Sequence, residues 1–221
     1  MKVITLKDIK ENAEVKSLLE ISERQMAARG YTEHSFRHVS LVAKTAGDIL
    51  KNLDYSDREA ELARISGYLH DIGNAVNRMD HAHSGAVLAY QILTKAGMDY
   101  GEAAEIMMAI GNHDENSGTA VSSISAALIL ADKSDVHRTR VRNSDFSTFE
   151  IHDRVNYAVF SSKLSVSRED KLALLNLEID TKICPVMDYF EIFLGRMTMN
   201  RRAADFLGLK FSLIINGTSL L

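Results

Sequence analysis

The chain has 221 residues, 46% apolar and 25% charged, enough to build a packed core and too apolar for wholesale disorder. A formal net charge of -4 removes the electrostatic case for a nucleic-acid groove over the whole surface. No run of about 18 apolar residues occurs, and "MKVITLKDIKENAEVKSLL" is charged throughout, so neither a membrane span nor a signal peptide is expected. The single cysteine, Cys184, has no partner for an internal disulfide, and a reducing cytoplasm is the simplest setting. The single proline, Pro185, agrees with a mostly helical protein.

In chain order, the pattern is helical from about residue 9 to about residue 140. "EVKSLLEISERQMAARG" predicts a helix that stops at Gly30, and "HSFRHVSLVAKTAGDILKNL" predicts the next. "SDREAELARISGYLHDIG" follows, with Ser56 as its N-cap and Gly73 just past its end. "DHAHSGAVLAYQILTKAG", capped by Asp80, then "DYGEAAEIMMAIGNH" and "VSSISAALILADKSDVHRTR" complete the helical body. After about residue 145 the texture changes. "VNYAVFSSKLSVS" and "KLALLNLEID" read as strands around the turn "SRED". "CPVMDYFEIFLGRMTMNRRAADFLG" returns to a helix, and "KFSLIIN" reads as a last short strand. The expected class is therefore mainly α. A helical metal-binding domain over 1–144 carries a small α+β extension over 145–221, packed on it as a cover for a pocket or as a homodimer contact. Its strands would leave an open edge unless paired.

Seven of the eight histidines lie between residues 34 and 137. His38 shares a helical stripe with Val42, Thr45 and Ile49 and should face inward. Asp132 continues a stripe from Val121, Ile124 and Leu128, where an unpaired carboxylate would be costly. Neighbouring helical residues point about 100° apart, so His70 and Asp71 can reach one site only near a helix end, where they sit. His38, His70, Asp71 and Asp132 thus offer N and O donors from several helices to one interior point. Such a set suits Mn, Fe, Co, Ni or Zn, with Mg also within reach. Each residue alone has an ordinary reading, as a hydrogen-bonded core histidine or a solvated helix end. The combination is what singles them out.

The order H…HD…D resembles the HD-domain superfamily of metal-dependent phosphohydrolases over roughly residues 20 to 142. "LHDIGN" is similar to its HD turn and "LILADKSD" to its final Asp motif. His81 with Gly85 in "HAHSGA", and His113 in "AIGNHDE", resemble the binuclear branches. The resemblance implies a helical HD bundle and one metal position from His38, His70, Asp71 and Asp132. It implies a second from Asp71, His81 and His113, with Asp71 bridging two ions. Asn74 stands where HD-GYP phosphodiesterases carry Lys, and the GYP signature is absent, so cyclic di-GMP is a poor substrate candidate. The implied reaction is hydrolysis of a phosphoester or phosphoanhydride bond in a nucleotide or small phosphate compound by metal-activated water. Asp71 and Lys133 are its catalytic candidates; Lys133, Arg138, Asn77 and Arg78 are its substrate-binding candidates. His34, one turn before His38, is a candidate to support a ligand or to face substrate; His83 is a weaker ligand candidate than His81, two residues away, and His137 and His152 read as surface or structural. Two alternatives stand beside this: a regulatory module that keeps the metal pocket and binds nucleotide, and a di-iron oxygenase on the same fold.

Overall fold

A computed structural model describes residues 3–31, 36–143, 145–149 and 151–220. Thr5 opens α1 (Leu6–Glu11) through a capping box with Asp8. Asn12 then caps α2 (Ala13–Ala28) at the amides of Glu14 and Val15. The sequence reading misses α1, whose six residues are too few to establish a period. α3 (Phe36–Asn52) and α4 (Asp57–Leu69) follow, and Ser56 caps α4 in a capping box with Glu59. A 3-10 turn, Ile72–Ala75, leads towards α5 (His81–Lys95) and α6 (Tyr100–Gly111). Asp80 precedes α5 as expected, but its left-handed backbone (φ 57°) leaves its side chain without a capping hydrogen bond.

α7 (Ser123–Ser134) is the core helix, buried from Ile124 to Ser134 without a break. It packs on α3, α4 and α6. This all-round burial explains why its sequence is apolar on every side rather than along the single stripe read from Val121 to Asp132. The helix also ends earlier than its pattern suggests. Ser134 is its last residue, and Arg138–Arg140 form a separate 3-10 turn. The break falls at Asp135, whose carboxylate is engaged by Arg37 and His38 of α3; tertiary contacts override local propensity there.

The extension begins with a helix, not a strand. α8 (Ile151–Ala158) buries Val155 and Ala158 on one side, so the β-prone stretch before Val159 is helical by packing. β1 (Val159–Ser167) and β2 (Leu172–Ile179) form an antiparallel hairpin. α9 (Val186–Phe206) crosses over to β3 (Lys210–Ile215), which pairs parallel with β2. β4 (Thr218–Ser219) closes the sheet in the order β1-β2-β3-β4. Asn216 and Gly217, both at positive φ, make the tight turn into β4; the Asn-Gly pair signals this hairpin, which the sequence reading omits. Ala173, Leu175, Leu177 and Ile179 alternate inward along β2, as do Phe211, Leu213 and Ile215 along β3. α9 lies along α7, and β1 leans on α3 and α7. The class is mainly α with a small C-terminal α+β extension. Among the described residues no helix is long and apolar enough to cross a membrane.

Candidate metal centre

The centre is built where α4 stops. His70, still helical in its backbone, is the C-cap of α4, and Asp71 leaves the helix there (φ -97°, ψ 1°), so the pair sits at the helix end. Gly73 and Gly85 then allow backbone to meet backbone. A Cβ at Gly73 would lie 1.9 Å from the His81 carbonyl oxygen, and one at Gly85 would lie 3.1 Å from the Gly73 nitrogen. This contact seats the HD turn on the first turn of α5 and brings His81 to Asp71. α5 and α6 pack with the start of one beside the end of the other, so His113, two residues past α6, meets His81. Their ring centroids are 5.0 Å apart.

Four imidazoles are oriented in the same way. His70 donates from Nδ1 to the Gly67 carbonyl (2.9 Å), His81 to that of Arg78 (3.1 Å) and His113 to that of Ile110 (2.6 Å). His38 donates from Nδ1 to Asp135 Oδ2 (2.7 Å). A carbonyl only accepts, so the proton sits on Nδ1 and Nε2 faces the centre. His38 Nε2 lies 3.6 Å from Asp71 Oδ2 and 3.3 Å from Asp132 Oδ1; His70 Nε2 lies 3.3 Å and 3.6 Å from the same two oxygens. Four donors held tetrahedrally about 2.1 Å from one ion would lie about 3.4 Å apart. Asp71 turns its other oxygen, Oδ1, to His81 Nε2 (3.6 Å), which is 3.2 Å from His113 Nε2. The groups His38-His70-Asp71, His70-His113-Asp132 and Asp71-His81-His113 each bring one donor atom per residue within 4.8 Å of the others. All six residues are buried. The donor set fits divalent metal.

The electrostatics follow from this crowding. Burial alone would lower the His70 imidazole, but Asp71 and Asp132 outweigh it and raise the group to about 10. Burial lowers His113 well below its ordinary value, with His70 and His81 adding to the effect. Burial also lowers His81, against the pull of Asp71. Asp132 is held far below the usual carboxylate range against the cost of burial, chiefly by the charge of Lys133, with His38 and His70 beside it adding to the effect. Lys133 reaches Asp132 Oδ2 (2.7 Å), the oxygen not turned to the histidines.

The other candidates separate. Arg78 and Asn77 line a cavity of about 560 Å³ with Arg29, Tyr31, His81 and Asp114. Arg138 goes elsewhere: its guanidinium stacks on the rings of Tyr157 and Phe160 (5.3 and 5.7 Å). Arg140 is the arginine of that run that supports the centre, buried with Nη1 2.7 Å from the Asp135 carbonyl and 3.9 Å from its carboxylate. His34 lies outside the described residues. His83 is exposed at the start of α5. His137 bonds Thr139 and the Phe160 carbonyl, while His152 lines a second cavity of about 330 Å³. The sequence reading misses Asp135, although it lies within the quoted "LILADKSD". It also misses Glu115, which meets Arg196 of α9 (2.7 Å) and Lys133 (3.7 Å). Nothing in the sequence pattern links Arg196 to this place.

Fold and site together define a helical bundle whose helix ends converge on a buried His/Asp cluster. The HD domain family model matches residues 32–175, well over half of the chain, and the chain belongs to that family. It is 30% identical over 155 residues to an uncharacterized protein of Methanocaldococcus jannaschii, MJ1020, covering 60% of this chain and 59% of that relative. The chain therefore spans less than two thirds of the relative's length. It is also similar to the crystal structure of a predicted HD superfamily hydrolase from an uncultured Thermotogales bacterium. That likeness has 25% identity and a TM-score of 0.44, over 61% of this chain and 75% of that one.

Proposed function

We propose that the chain is a metal-dependent phosphohydrolase that cleaves a phosphoester or phosphoanhydride bond of a nucleotide or small phosphate compound. The observation that supports this reading most is the convergence of four Nε2 atoms and two carboxylates beside Lys133 and Arg78, at a cavity of about 560 Å³. In this reading His38, His70, Asp71 and Asp132 hold one divalent ion, and Asp71, His81 and His113 hold a second. Bound metal would supply a water acidified towards neutral pH and a positive charge for phosphoryl oxygens. The chain's own groups do the rest. The anchored Nδ1 atoms fix the direction of every imidazole. Lys133 steadies Asp132, and Asn77 and Arg78 receive the substrate phosphate. Residues 1–144 are proposed as the unit that carries the centre, with 145–221 walling the neighbouring cavity through His152, Asn156, Phe193 and Arg196.

The test is a panel of nucleotides and dinucleoside polyphosphates assayed with Mn, Fe, Co, Ni and Mg. Phosphate release that depends on added metal and stops with a chelator is expected. Metal and nucleotide binding without turnover would replace the enzyme by a regulatory module. An oxygen-sensitive iron spectrum without phosphate release would indicate an oxygenase.

Proton release gives a check that needs no substrate. With its value raised to about 10, His70 carries a proton at neutral pH that a ligand role would expel. His81 and His113, lowered by burial, are already neutral there. Calorimetric metal titrations near pH 7.5, in buffers of different ionisation enthalpy, should therefore show proton release on metal binding, part of it from His70. The release should fade as pH rises through the His70 value. Release that does not fall as pH rises would show that His70 is not its source.

A further inference from the structure

The guanidinium of Arg78 sits among the atoms assigned to the second metal position. Its Nη1 lies 3.2 Å from His81 Nε2, 3.4 Å from Asn74 Oδ1 and 3.9 Å from Asp71 Oδ1. His81 has already committed its Nδ1 proton to the backbone carbonyl of this same Arg78, so its Nε2 presents a lone pair. His113 is anchored at Nδ1 too, and its Nε2 is 3.2 Å from that of His81. Two lone pairs that close repel unless positive charge lies beside them. A guanidinium is always charged, carries only donors and supplies that charge.

From these contacts we propose that Arg78 competes with the second divalent ion for Asp71 and His81, so that this position fills weakly and only after the guanidinium swings out. The inference rests on the metal reading of the cluster and concerns the order and strength of loading. Asn74 couples the partners: its Nδ2 donates to Asp71 Oδ1 (2.8 Å) while its Oδ1 accepts from Arg78. An amide can do both; a lysine at that place would itself be a cation beside Asp71. The first position has a different neighbour. Lys133, the cation beside it, is held on Asp132 Oδ2, leaving Oδ1 to His38 and His70.

Arg78 also has somewhere to go. Its side chain is 30% exposed and lines both the 560 Å³ and the 330 Å³ cavities. It belongs to the link between the 3-10 turn and α5. Turned outward, its planar fork could take two oxygens of a substrate phosphate. A phosphate drawn to Arg78 would then help to open the second position, coupling substrate binding to loading.

The experiment is Mn(II) binding to the full chain, by equilibrium dialysis and by electron paramagnetic resonance for Mn–Mn coupling. It compares wild type with Arg78→Met and Arg78→Lys, each first checked for an unchanged melting curve. Wild type should bind one ion tightly and a second more weakly. In Arg78→Met the second ion should tighten by about tenfold or more while the first is unchanged, and spin coupling should appear at lower Mn; partner changes around metal ligands are of this size. Arg78→Lys, a cation without the planar fork, should fall between them. Two equally tight ions in wild type, or a second affinity identical in wild type and Arg78→Met, would overturn the proposal while leaving the metal centre standing. If neither protein binds an ion tightly, the metal reading falls and the proposal with it.

Discussion

Asp71→Ala should strip the centre of metal and abolish turnover. Asp71 offers Oδ2 to His38 and His70 and Oδ1 to His81, so one substitution removes a donor from both proposed positions. A metal-activated nucleophile contributes several kcal/mol to catalysis, so a loss of about 1000-fold or more is expected. Elemental analysis of the purified variant checks the first half and phosphate release the second. The thermal consequence is separable. An ion bound only by the folded state raises the melting temperature, and a chelator should remove that increment from wild type. Asp71→Ala should have no such increment to lose. Wild-type metal content with intact turnover would end the assignment of this cluster as a metal centre.

Asp135→Ala should weaken metal binding without removing a ligand. Its carboxylate accepts from His38 Nδ1 at 2.7 Å, which keeps His38 Nε2 aimed at Asp71 and Asp132. Loss of such a partner commonly costs about 10–100-fold in metal affinity or activity, and that range is expected here. Arg37 and Arg140 converge on the same carboxylate, so the alanine variant should also be destabilised, by roughly 1–3 kcal/mol. The sign of the pH effect follows from the same contacts. Against the cost of burial, the His38 hydrogen bond and the charge of Arg140 hold the Asp135 carboxyl below its usual range. A depressed carboxyl stabilises the fold above its unfolded value and surrenders this as pH falls through the folded one. Wild type should therefore lose more stability on acidification than the variant. Asp135→Asn, which keeps an acceptor for Nδ1 but not the charge, should recover part of the affinity. If it recovers none, orientation of His38 is not what Asp135 provides. Equal metal affinity in wild type and Asp135→Ala would remove it from the centre.

The sequence by itself determined a mainly helical HD-family chain and the residues worth suspecting. Adjacent His70 and Asp71 at a helix end, and a carboxylate on the apolar α7, are costly unless something pairs with them, and that cost is visible in one dimension. It determined Ser56 as a cap, because a cap acts within three residues. It misjudged the stretch before Val159 and the end of α7, where packing against distant elements outweighed local preference. The tertiary structure alone decided what each donor faces. Which ring nitrogen turns inward depends on a carbonyl or carboxylate brought up by folding. Asp135 reaches His38 from 97 positions away. Arg138 and Arg140, alike in sequence, part because one finds two aromatic rings and the other a buried carboxylate. Residue type carries the chemistry a side chain can do; hydrogen-bond direction and distance, which arise only when helices pack, decide whether it does it.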